Sequence, residues 1–265
     1  MVDLMSLGFV FVAGLITALA TGLGALPFFV VDDIGPRWNV ALWGFASGIM
    51  IAASFMGLVD EGLANGTALE VGIGALAGVV LVVVAHRIID DTELSPKQYA
   101  QADFDKLLLI LGILTVHSFP EGVAVGVAFA DLGLEGGVTL LGMVVPVLAI
   151  FMTVAISVHN VPEGVAVSIP LRSLGVSNAR LVWWSVFSSL PQPIGAVVAF
   201  SFVRVARAVL PYGFGFAAGA MVYLVLSEFV PEALETGSEL AGNGYRELFT
   251  GLLVGGLVMV PLLLV

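Results

Sequence analysis

Cysteine is absent from the 265-residue chain. That excludes disulfide staples and thiolate metal sites, and it leaves the redox compartment undetermined. Charge is scarce as well. Asp, Glu, Lys and Arg make up 11% of the residues, against about 25% in a soluble domain. Basic residues are the scarcest, nine against 20 acidic ones for a net charge of −11, and the lysines are Lys97 and Lys106 alone. The sequence therefore has no basic stripe with which to track nucleic acid or an anionic lipid surface. The acidic surplus reads as solvated loops, or as a surface suited to salt-rich surroundings. The opening MVDLMSLGF lacks the basic region of a cleaved leader, so the first apolar stretch is expected to remain as a membrane span.

What the chain has in quantity is apolar surface. Hydrophobic residues make up 59% of it and mean hydropathy is +1.10, beyond the composition of a soluble core and its shell. Glycine is abundant at 32 residues, as close helix packing in lipid requires. A span needs roughly 20 apolar residues. Eight such runs are expected, at about 5–31, 39–61, 67–89, 106–130, 137–170, 181–203, 210–234 and 247–265. The expected fold is an all-α polytopic membrane helix bundle. Connections carry the breakers and charges: Asp32-Asp33-Ile34-Gly35-Pro36-Arg37, the polar stretch 90–105, and Gly237 to Glu247. The fifth run is unusually long and holds Pro146 and Pro162, so a kink is expected there. Placing the N-terminus outside leaves Arg37, Arg87, Lys97, Lys106, Arg172, Arg180 and Arg246 on inner connections and only Arg204 and Arg207 on outer ones. The positive-inside rule then puts both termini outside.

Two internal repeats stand out. Residues 44–64, GFASGIMIAASFMGLVDEGLA, align without gaps to 215–235, GFAAGAMVYLVLSEFVPEALE, with eight of the 21 positions identical. In the topology above these two spans run in opposite directions, the pattern of an inverted repeat. The second repeat is shorter and carries more chemistry. His117-Ser118-Phe119-Pro120-Glu121-Gly122-Val123-Ala124-Val125 matches His159-Asn160-Val161-Pro162-Glu163-Gly164-Val165-Ala166-Val167 on the next, antiparallel span.

His117 and Glu121 are four residues apart and share one helix face, as do His159 and Glu163. Imidazole and carboxylate are ligands for zinc and similar dications. An ionisable group inside a membrane marks function by default. The bland alternative pairs each His with its own Glu as a structural contact. Pro120 and Pro162 lack an N–H and so free the carbonyls of Val116 and Val158, which a bilayer tolerates where they line a polar cavity. Gly122 and Gly164 permit close backbone approach.

The pattern His-x-x-Pro-Glu-Gly on spans four and five resembles the ZIP family of divalent metal transporters, in its prokaryotic branch, over nearly the whole chain. The resemblance implies a single transmembrane transporter domain over 1–265 that carries zinc, with iron, manganese, cobalt and cadmium as other candidates, into the cytoplasm. It implies two adjacent metal sites. His117, Glu121, His159 and Glu163 would form the first; Glu121 and Glu163, with Asn160 and Ser118, would form the second. The metal is cargo; no cofactor and no enzymatic activity are expected. Three departures stand against the family pattern. Ser118 stands where relatives often carry Asn. In Leu190-Pro191-Gln192-Pro193-Ile194-Gly195, Gln192 stands where relatives carry Glu, so it offers the metal only a neutral oxygen. The 90–105 loop has no His. A homodimer is compatible with the sequence, which does not itself fix the oligomeric state.

Two other functional classes compete. An intramembrane metalloprotease needs His-Glu-x-x-His, which is absent. A cation or proton channel would use the Glu121/Glu163 pair. Outside the motifs, Asp60 and Glu61 end span two on the outer side. His86, Asp90 and Asp91, with Glu228, Glu232 and Glu235, mark the inner ends of spans three and seven, as solvated ends or as an exit relay. Asn65-Gly66-Thr67 matches a glycosylation acceptor, a short string that arises by chance.

Overall fold

The computed structural model describes residues 3–90, 118–134, 136–173 and 175–263. Helices dominate them. In chain order they are α1 (Leu4–Leu23), α2 (Pro36–Asn65), α3 (Ala68–Asp90), α4 (118–128), α5 (Val147–Ser173), α6 (Asn178–Val205), α7 (Arg207–Gly237) and α8 (Tyr245–Met259). Among the described residues, six are long and apolar enough to cross a membrane: α1, α2, α3, α5, α6 and α7. The fold is therefore an all-α polytopic membrane bundle. Helix starts have local causes. Asp3 caps α1 by accepting from the Ser6 backbone N–H at 2.7 Å. Pro36 opens α2, and Pro191 and Pro211 stand in first helical turns, where a missing N–H leaves no bond unmade.

The fifth run departs from expectation. Gly137–Leu140 and Met143–Pro146 form an antiparallel hairpin, β1 and β2, and the helix begins only at Val147. The turn passes through Leu141 and Gly142, at φ 50° and 81°, the geometry of a tight two-residue hairpin turn. A short apolar run supports either a strand or a helix start, and periodicity does not separate them. Pro146 thus ends a strand instead of kinking a helix, whereas Pro162 lies inside α5. The sixth run is interrupted too. Asn178–Ser188 and Pro191–Val205 are separate helices joined through Ser189 and Leu190.

Two helices change their winding. α2 is π-helical over Ser54–Val59 and α7 over Val225–Phe229. Ser54 and Val225 are opposite one another when 44–64 is aligned with 215–235.

Glycines set the closest contacts. On α2, a Cβ at Gly44 or Gly48 would run into the carbonyls of Leu248 and Leu252 on α8; Gly251 and Gly255 of α8 meet Ala41 and Phe45 of α2 in return. On α7, Gly215 and Gly219 rest against Val71 and Ala75 of α3, and Gly74 and Gly78 rest against Tyr212 and Phe216. Residue numbers rise together in both contacts, so both helix pairs are parallel. At one end of the bundle Glu61, Asp131, Pro146 and Phe214 line a cavity of about 200 Å³. At another, Arg172 in the last turn of α5 donates to Asp32 before α2 at 2.9 Å.

Substituting Gly219→Leu should destabilise the chain by about 1–3 kcal/mol or more, because backbone blocks the added volume. Gly72→Leu on α3, where nothing lies near a Cβ, should leave the melting temperature in detergent unchanged.

Candidate metal site

The two motifs meet at the middle of the bundle. Glu121 comes from α4, three residues after Ser118, and His159 and Glu163 lie one turn apart on α5. All three are buried, and their ligand atoms lie within 4.8 Å of one another. His159 Nε2 is 3.0 Å from Glu121 Oε1 and 3.9 Å from Glu163 Oε2. Two carboxylates and one imidazole thus converge where lipid and helices exclude water. Like charges at such range repel unless a cation or proton lies between them.

The motif glycines bring neighbours in. A Cβ at Gly122 would strike the backbone of Gln192 on α6, and one at Gly164 would strike the Thr21 carbonyl on α1. Each His-x-x-Pro-Glu-Gly segment is therefore seated on a helix outside the α4–α5 pair, which supplies the remaining polar groups. Asn160 Nδ2 donates to the Thr17 carbonyl at 2.7 Å and to Gln192 Oε1 at 3.0 Å. Gln192 Nε2 donates to Glu121 Oε2 at 2.5 Å. Among the described residues, His159 Nδ1 and Asn160 Oδ1 are buried without a hydrogen-bond partner, which costs free energy unless a further group satisfies them.

The break in α6 positions Gln192. Pro191 has no N–H, and the Gln192 N–H turns to Ser189 O at 3.0 Å. The Ser188 carbonyl, left without its helical donor, accepts from Ser118 Oγ at 3.1 Å. The second half-helix starts at Pro191, so its positive dipole end lies at Gln192, beside the Glu121 carboxylate. Phe229, in the π-helical turn of α7, stacks on His159 with centroids 5.6 Å apart.

Of the residues singled out in the sequence, the structure gathers Glu121, His159 and Glu163, joins Asn160 and Gln192 to them by hydrogen bonds, and gives Ser118 to a backbone carbonyl. His117 lies outside the described residues, as does Asp91. His86 on α3 is in direct contact with Glu228 on α7, one residue before Phe229. Glu61 lines the cavity at the end of α2 and accepts from Asn65 Nδ2 at 2.8 Å. Three contributors carried no sequence signal. Thr17 acts through its carbonyl, which any residue has, and Phe229 and Ser188 look like ordinary span residues. The Pro-Gln-Pro string could have marked the break in α6, since proline favours a first helical turn.

A family model described as "ZIP Zinc transporter" matches residues 86–262. A putative zinc transporter of Arabidopsis thaliana is 41% identical over 223 residues, 83% of this chain, although the chain spans only 34% of that longer protein. The zinc transporter ZupT of Corynebacterium aurimucosum is 31% identical over 254 residues, covering 89% of this chain and 91% of its own length. GufA of Myxococcus xanthus, also a zinc transporter by name, is 30% identical over 261 residues, 92% and 93% of the two chains.

Ser118→Ala removes the donor to the freed Ser188 carbonyl. The expected loss is about 1–3 kcal/mol of stability from one unsatisfied buried acceptor, read as a lower melting temperature in detergent. Zinc binding should stay intact, because the three converging side chains do not involve that hydroxyl.

Proposed function

Since the chain belongs to the ZIP family, we propose that it carries divalent metal ions, zinc foremost, across the membrane into the cytoplasm as a carrier. The observation that carries this reading is the buried group of Glu121, His159 and Glu163. Two carboxylates balance one dication, and His159 adds a nitrogen donor suited to zinc. By the motif in the sequence, His117, four residues before Glu121, is the fourth candidate ligand. Oxygen and imidazole donors also accept iron, manganese, cobalt and cadmium, and without a thiolate the site disfavours Cu(I). The relatives' names favour zinc.

Transport proceeds through one domain of eight spans with both termini outside. The excess of Lys and Arg on the inner connections supports that orientation. The parallel contacts α2–α8 and α3–α7 support the parity of eight spans. An inverted repeat relating α2 to α7 and α3 to α8 accounts for three coincidences. The alignment of 44–64 with 215–235 is one. The matching starts of the two π segments are another. The third is that Gly44/Gly48 of α2 packed against α8 become Gly215/Gly219 of α7 packed against α3 under the same exchange, and Gly251/Gly255 become Gly74/Gly78.

Entry and exit follow from the ends of the bundle. The cavity near Glu61 and Asp131 borders α4, whose Val127 lies six residues, or about 9 Å of helix, beyond Glu121. On the other side Phe229 touches His159 while its neighbour Glu228 touches His86. We read this second His/Glu pair, whose Glu228 is the chain neighbour of Phe229, as part of an exit route on the inner side.

Uptake by proteoliposomes tests the reading. Zinc flux should saturate, and Glu121→Ala and Glu163→Ala should each reduce it to the level of empty vesicles while the protein remains in the membrane. Flux that rises without saturation would instead make the Glu121/Glu163 pair part of a channel. Normal uptake by both variants would remove the central site from transport.

A further inference from the structure

The hydrogen bonds around Glu121 run in one sense. The Thr17 carbonyl can only accept, so the amide nitrogen of Asn160 faces it. That nitrogen's second hydrogen goes to Gln192 Oε1. The Gln192 amide nitrogen is thereby turned toward Glu121 Oε2, at 2.5 Å. A backbone carbonyl on α1 thus fixes the orientation of two side-chain amides in series. Asn160, Gln192 and Glu121 are all essentially inaccessible to solvent. Gly122, which has no side chain, lets the Gln192 backbone on α6 come this close.

Glu121 therefore has two differently occupied oxygens. Oε1 faces His159 Nε2, which in turn lies 3.9 Å from Glu163 Oε2. Oε2 faces an N–H donor, where a bridging carboxylate would otherwise meet a second cation. A charged residue in place of Gln192 would add the negative charge that a second dication needs; the carboxamide supplies a neutral donor instead. We propose that the Gln192 carboxamide occupies the place of a second cation, so that this chain carries one dication at a time at Glu121, His159 and Glu163. The proposal rests on the reading of that group as the transport site. Gln192 is a positioning residue in it: it holds Glu121 by hydrogen bond and closes the carboxylate's far side to metal.

The test is zinc X-ray absorption on the purified full-length chain in detergent, with zinc per chain counted by mass spectrometry. The wild-type chain is expected to bind zinc with nitrogen and oxygen scattering alone. Gln192→Glu is expected to gain about one further zinc per chain and a zinc–zinc scattering shell near ~3.5–4 Å. A zinc–zinc shell in the wild-type chain overturns the proposal, and so does a folded Gln192→Glu that gains neither the ion nor the shell. If that variant does not fold, the wild-type spectrum alone decides. A wild-type chain that binds no zinc fails differently: it overturns the transport reading itself, and this inference with it.

Discussion

Two carboxylates held together inside a membrane bundle are the constraint on which the rest of the structure depends. Glu121 and Glu163 converge with His159 within 4.8 Å, all of them buried. Leaving such charges uncompensated costs several kcal/mol even after relaxation. The fold compensates only part of that cost. Gln192 donates to one oxygen of Glu121, and the α6 half-helix brings its positive end to the same place. A dication is a natural complement to two converging carboxylates, and a buried group that can accept one suits a transporter of such ions.

The local backbone serves that arrangement. Pro-Glu-Gly places each glutamate between a residue that cannot donate and one that has no side chain. The glycine of each motif lets a third helix press against it, α6 on Gly122 and α1 on Gly164. The helices thus pressed in bring Gln192 and the Thr17 carbonyl to the site. Glycine pairs on α2, α3, α7 and α8 hold the flanking helices at backbone contact. In lipid this packing replaces the hydrophobic drive of a soluble core. The π-helical turns of α2 and α7 re-aim side chains within that frame, and one of them presents Phe229 to His159.

Hydropathy located the starts of the other described spans to within a turn, because length and apolar content are what a bilayer demands. The two motifs stood out in the sequence because ionisable residues at helical spacing are costly in an apolar run and mark function by default. The hairpin at 137–146 was not, since Val, Thr, Leu and Met fill a strand or a span equally well. Nor did the string at 181–203 show whether Pro191 merely bends a helix or starts a new one. Gln192 was visible as a departure from the family pattern and was expected to offer the metal its carbonyl oxygen. Its amide nitrogen faces Glu121 instead, because the Thr17 carbonyl on α1 dictates the orientation of Asn160. That long-range cause leaves no mark in the local sequence.

The most direct test of the central claim is anomalous diffraction at the zinc edge from crystals of the wild-type chain soaked in dilute zinc. The account predicts a peak within ligand distance, about 2.0–2.2 Å, of Glu121, His159 and Glu163 together. Strong peaks confined to the acidic ends of the bundle, with none at those three residues, would contradict it.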